Sequence, residues 1–147
     1  MKPVFQTDLS RETGDCYRAC IASLFELPIE EVPNFWLQIP NSNNLVPDQL
    51  IKEWWLSIRL WSESRYNLVP LDFKWSEESD LTWLLKDVYL IASGTSPRYP
   101  DLDHSVIIFN NKIVHDPHPS GVGFGGNKPK LITVFVATHK ESKNGEI

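Results

Sequence analysis

The apolar residues of this chain change period along its length, and that change limits the fold more than any other feature. Early on they recur at steps of three and four. Cys16, Cys20 and Leu24 share a stripe with Ala19, Ser23 and Leu27 beside it, the pattern of a helix with one buried face. Leu50, Ile51, Trp54, Trp55, Ile58 and Trp61 repeat the pattern over residues 48–62. From residue 69 on, runs of strand length take over, at 69–73, 88–92, 104–109, 112–115 and 131–138, with one short helix expected over 79–86. Asn110-Asn111 joins two of these runs, and Asn tolerates the positive φ of a tight hairpin. Helices first and hairpin-linked strands after them is the α+β arrangement.

The boundaries follow from local chemistry. Asp15 is the expected N-cap of the first helix, which makes Cys16 its first residue, and Pro28 ends it. Residues 29–33 read as one short turn and 34–47 as a loop, with Asp48 expected to cap the second helix. Residues 94–103 and 117–129 read as surface loops. Within the latter, Gly121-Val122-Gly123-Phe124-Gly125-Gly126 lacks the Lys and following helix of a phosphate-binding loop and reads as a flexible flap. No repeat or linker interrupts the 147 residues, and 41% of them are hydrophobic, enough for one core. A single domain over 1–147 is expected, with 140–147 a flexible tail.

Charge and termini narrow the function classes. A net charge of -5, with Arg11, Arg18, Arg59, Arg65 and Arg98 scattered, argues against a nucleic-acid partner. No apolar stretch approaches the roughly 18 residues a membrane helix needs, and the first eight residues lack a signal peptide's apolar core. A cytoplasmic protein with no membrane partner is expected. Its two cysteines, four apart on a helix, do not suit disulfide geometry and are read as thiols.

A thiol is a useful nucleophile as its thiolate, and the free N–H groups and dipole of a helix N-terminus favour negative charge. Cys16 has that position; Cys20, one turn further in, reads as an ordinary buried thiol. Among His104, His115, His118 and His139, His104 opens an apolar strand at the end where a long loop arrives, and is the expected base. A three-residue hairpin loop over 110–112 sets Val106 opposite Asp116, leaving His104 and Asp116 as diagonal neighbours on one face, about 7 to 8 Å apart at Cα. A two-residue turn shifts that parity and aims Asp116 away. With the three together, Cys16 supplies the thiolate, His104 carries the proton and Asp116 orients the imidazole. The backbone N–H of Cys16 and the side chain of Gln6 are the expected oxyanion donors.

The strings that carry this chemistry resemble a known group. Gly14-Asp15-Cys16-Tyr17-Arg18-Ala19-Cys20-Ile21-Ala22-Ser23-Leu24-Phe25, with Leu27-Pro28 and Glu31-Val32-Pro33, looks like the start of small phage and bacterial proteins related to papain-like cysteine peptidases. Ser96-Pro97-Arg98, His104-Ser105-Val106-Ile107 and Val114-His115-Asp116-Pro117-His118-Pro119-Ser120 resemble the same group's His-bearing strand and acidic partner. Residues 34–86 carry no matching motif. The resemblance implies a nucleophile helix packed on an antiparallel sheet and a thiol protease or deamidase cleaving an amide, isopeptide or ester bond. It implies a protein or peptide substrate, a host factor among the targets, and no cofactor.

Two other readings stand beside it. Asp101, Asp103, His104, His115, Asp116 and His118 are dense in metal-ligand types, although their spacing fits no standard zinc pattern. The same fold could also serve as a non-catalytic binding or inhibitor protein that sequesters a host protein or small ligand, which needs no reactive Cys16 paired to His104.

Overall fold

The computed structural model describes residues 1–75, 83 and 85–139. In chain order its elements are α1 (Cys16–Phe25), α2 (Pro47–Tyr66), β1 (Leu68–Lys74), β2 (Tyr89–Thr95), β3 (Asp103–Phe109), β4 (Lys112–His115) and β5 (Leu131–Ala137). Short 3-10 turns lie at Ile29–Glu31, Ser42–Asn44 and Gly125–Asn127. The strands form one five-stranded sheet in the order β1-β5-β2-β3-β4. Strand β2 runs antiparallel to β3 and β5, and β3 runs antiparallel to β4. The α+β class expected from the change of period is therefore present. The helix expected over 79–86 falls mostly on positions outside the described residues.

The chain divides into two compact units, which among the described residues hold Met1–Gln38 with Asp72–Val134, and Ile39–Leu71 with 135–139. In the first unit α1 packs against β2 and β3, burying Ala19, Cys20, Ile21, Ala22 and Ser23. The helix stops where Glu26 turns left-handed, its amide donating back to Ala22 and Ser23, two residues before Pro28. Leu90, Ala92, Val106, Ile108, Phe124 and Ile132 form a buried cluster bordered by Trp75, Leu85 and Val134. The alternate positions Ile91 and Ile107 are fully buried as well. Strands β2 and β3 are thus covered on both faces, so their sequences read as near-continuous apolar runs rather than as alternation.

Phe124 contradicts the expected flexible flap. It is buried, and the backbone of Lys128 and the ring of Phe124 both crowd Gly94 of β2, the register partner of His104. A Cβ at Gly94 would lie 2.8 Å from the Lys128 carbonyl oxygen and 3.0 Å from the Phe124 ring. Gly94→Ala is expected to cost about 1–3 kcal/mol in urea unfolding, as overpacking against backbone does; an unchanged midpoint would show that the loop yields freely.

In the second unit Pro47 takes the first position of α2 and Val46 the N-cap, its amide donating to Gln49 Oε1 at 3.3 Å. Asp48, expected as the cap, lies instead in the first turn, where its charge suits the helix dipole. Asn67 closes the helix in the left-handed region at φ 53°. Trp54, Ile58 and Ser62, four residues apart, form the buried face. Trp55 is half-buried and meets Trp54 edge to face at 4.9 Å, whereas Ile51, which the sequence places in the same stripe, is exposed. Among the described residues no helix is long and apolar enough to cross a membrane.

Candidate active site

Hairpin β3–β4 has the shorter of the two turns the sequence allows, and recovers the parity of the longer one further along. Phe109 pairs with Lys112, so the connection is the two-residue turn Asn110-Asn111, both residues at positive φ (48° and 64°). By itself that turn would aim Asp116 away. A register shift between Ile107 and Ile108 follows: Ile108 pairs with Ile113, but Ile107 pairs with His115. The extra residue, Val114, is a bulge that reverses the parity. Continued one step, the new register sets Asp116 opposite Val106, as a three-residue loop would have done. His104 Nε2 and Asp116 Oδ1 are 2.8 Å apart, both side chains almost wholly buried.

Backbone donors complete the carboxylate's environment. The His118 amide donates to Asp116 Oδ1 at 2.8 Å and the Gly123 amide to Oδ2 at 2.7 Å. Burial opposes the charge, but the His104 hydrogen bond and the Gly123 and His118 amides prevail and hold the carboxyl below its usual range. For His104 burial likewise favours the neutral ring. The hydrogen bonds to Asp116 and to Cys16, with the charges of both, outweigh it and raise the imidazole from 6.5 to about 9. An ionised carboxylate only accepts, so Nε2 carries a proton, and Nδ1 is the nitrogen left to exchange one with the thiol.

Cys16 is the first residue of α1 and partly exposed. Cys20 is fully buried, and that burial pushes its thiol well up. Asp15 occupies the N-cap position as expected but makes no capping hydrogen bond to α1. Its buried carboxylate turns to the preceding segment, accepting from the Thr7 amide (2.9 Å), the Thr7 hydroxyl (2.8 Å) and the Asp8 amide (2.8 Å), with Arg18 at 3.3 Å. The first-turn N–H groups beside Cys16 are thereby left uncovered by the residue that ordinarily caps them.

The N-terminal stretch, which reads as merely irregular, is held in place. His115 Nε2 lies 2.7 Å from the Val4 carbonyl and the Gln6 amide donates to the Pro117 carbonyl at 3.0 Å. The second bond fixes the Gln6 backbone beside Pro117, the residue after Asp116. The side-chain Nε2 of Gln6 donates to the Asp8 carbonyl at 2.8 Å, the oxygen that also accepts from the amide of Asp15, next to Cys16. Gln6 Oε1 is buried and has no hydrogen-bond partner among the described residues.

Sequence reasoning gave no role to Arg98, whose Nη2 lies 3.3 Å from His104 Nδ1. The Ser-Pro-Arg string ahead of the His-bearing strand was the available signal. Among the described residues no group of three or more His, Cys, Asp or Glu side chains is placed to hold a metal ion. His115 faces Val4 and packs its ring on Phe5, and Asp101 pairs with Arg11. No family model, no curated protein and no solved structure matches the chain.

Proposed function

We propose that this chain is a papain-like cysteine hydrolase that opens an amide, isopeptide or ester bond through a thioester on Cys16. The observation that carries the reading is the imidazole of His104, fixed at Nε2 by a buried carboxylate and raised in pKa by Asp116 together with the Cys16 thiol at the start of α1. In the first step the Cys16 sulfur bonds to the carbonyl carbon while its proton resides on His104 Nδ1. The tetrahedral oxyanion takes the Cys16 backbone N–H and the second Nε2 hydrogen of Gln6. Collapse expels the amine or alcohol, which leaves with the His104 proton. Water then attacks the thioester, giving its proton to His104, and the acid departs as the thiol reforms. Asp116 keeps Nε2 protonated throughout and stabilises the imidazolium.

The test compares the two cysteines of the native protein. Iodoacetamide, followed by peptide mass spectrometry, is expected to modify Cys16 quickly down to pH 6.5 and to leave Cys20 untouched until the protein unfolds. Slow, ordinary labelling at Cys16 would move the fold to the non-catalytic binding reading, in which a partner is held without turnover.

A further inference from the structure

The guanidinium of Arg98 stands at the site with no carboxylate among the described residues to hold it. Its Nη2 is 3.3 Å from His104 Nδ1 and its Nη1 is 3.5 Å from Ser120 Oγ, and both contacts are long for a charged donor. Among the described residues it makes no ion pair, although Arg11, Arg18 and Arg59 each have a carboxylate. The half-buried side chain springs from a rigid loop. Ser96, buried, accepts from the amides of Arg98 and Tyr99 at 3.2 Å each, and Leu102 closes back on Ser96 and Tyr99. Arg11 pins the same loop by pairing with Asp101 and lying over the Tyr99 ring.

The neighbours add a donor. His118 Nδ1 accepts from the Ser120 amide at 3.0 Å and lies 2.8 Å from Ser120 Oγ. With Nδ1 accepting, its proton is on Nε2. Burial, then the charge of Arg98, disfavours a second proton on this ring. The Ser120 hydroxyl, its one proton committed to His118 Nδ1, accepts from Arg98 and holds the two side chains together, which leaves the guanidinium and the Nε2–H of His118 as donors near His104, whose ring lies 6.3 Å from that of His118. The state of His104 decides what Arg98 can hold. A neutral Nδ1 accepts from Nη2; a protonated Nδ1 repels it. When His104 takes up its proton, the guanidinium is freed for an anion.

We propose that Arg98, with the Nε2–H of His118 and both positioned by Ser120, binds a carboxylate carried by the substrate beside the scissile carbonyl, so that the enzyme acts on substrates bearing that carboxylate. This rests on the cysteine-hydrolase reading and names its substrate class. A planar carboxylate matches the guanidinium fork. The carboxylate reaches the site as a side chain or as a chain terminus, and both present the same group to Arg98.

The test pits iodoacetate against iodoacetamide at Cys16. Each reagent forms the same S–C bond and expels iodide, and they differ in carrying a carboxylate or a neutral amide. Because both report the same thiolate, their rate ratio cancels any change in its reactivity. Arg98→Gln is expected to lower the iodoacetate-to-iodoacetamide ratio about tenfold, the worth of a charge-assisted hydrogen bond. Arg98→Lys should restore part of it, and Ser120→Ala, at an exposed position, should lower it severalfold. N-acetylglutamate amide and N-acetylalanine, carrying the carboxylate on a side chain and at a terminus, are used as protectors of wild-type Cys16 from iodoacetamide. Whichever protects names the source of the carboxylate. An unchanged ratio in both Arg98→Gln and Ser120→Ala overturns the proposal, as does protection by inorganic phosphate with none from either carboxylate. If iodoacetamide itself fails to label Cys16 quickly, the hydrolase reading has failed instead, and the two failures are distinct.

Discussion

His104→Ala is expected to slow iodoacetamide modification of Cys16 about a hundredfold at pH 7, the low end of what a positioned base contributes. Only the thiolate is alkylated, and in the proposed mechanism it is balanced by the ring of His104, whose pKa is raised to about 9. The direction follows from linkage. The folded ring sits near 9, above its ordinary 6.5, so the stabilisation from its proton is complete below about 6.5 and disappears as pH rises through 9. The difference in unfolding free energy between wild type and His104→Ala should accordingly shrink between pH 6.5 and pH 10. A second readout isolates the pair. Removing the thiol in Cys16→Ala deletes its hydrogen bond and charge, so the His104 ring, followed by NMR, should titrate lower than in the wild type. If it titrates at an ordinary value in both proteins, no thiolate–imidazolium pair exists, whatever the labelling rate.

The sequence made part of this arrangement legible. The start of α1 at Cys16 and the strands flanking the hairpin follow from periodicity and Pro or Gly punctuation, which are local signals. Asn110-Asn111 announced a turn but not its length, and the difference of one residue decides whether Asp116 meets His104. The two-residue join at Asn110-Asn111 is the turn the structure has; what the sequence leaves open is the parity after it, and a bulge at Val114 restores the parity that a three-residue loop would give. Nothing local in Lys112-Ile113-Val114-His115 marks a bulge. Asp15 illustrates the same limit. A Gly-Asp pair ahead of a helical stripe reads as a cap, but the partners that claim its carboxylate, Thr7 and Asp8, are set by how the N-terminal stretch folds back. That stretch is fixed through Val4, Gln6, His115 and Pro117, contacts more than a hundred residues apart in the chain. Phe124 was lost among glycines for the reverse reason, since glycine composition suggested mobility while one ring supplied an anchor.

Replacing Asp116 separates the catalytic role of this carboxylate from its structural one. Its two oxygens accept from His104 Nε2, the His118 amide and the Gly123 amide, and Asp116→Ala leaves all three donors without their acceptor. Removing one partner from a buried charged network of this kind costs about 3–5 kcal/mol, which urea unfolding at pH 7 would read directly. The loss should diminish in acid. The folded carboxyl titrates below its ordinary 3.8, so its contribution is present above that value and is lost as pH falls through the lower one. Asp116→Asn is the sharper variant. An amide oxygen can keep the His104 and His118 contacts, but the amide nitrogen then faces the Gly123 N–H, donor against donor, at a cost of about 1–3 kcal/mol. With no carboxylate beside Nε2, the imidazolium loses its charge partner, and Cys16 alkylation should fall toward the rate of His104→Ala although the protein is folded. Full alkylation in a folded Asp116→Asn protein would leave Asp116 as an anchor for the Gly123 loop, and His104 would need no third member to serve Cys16.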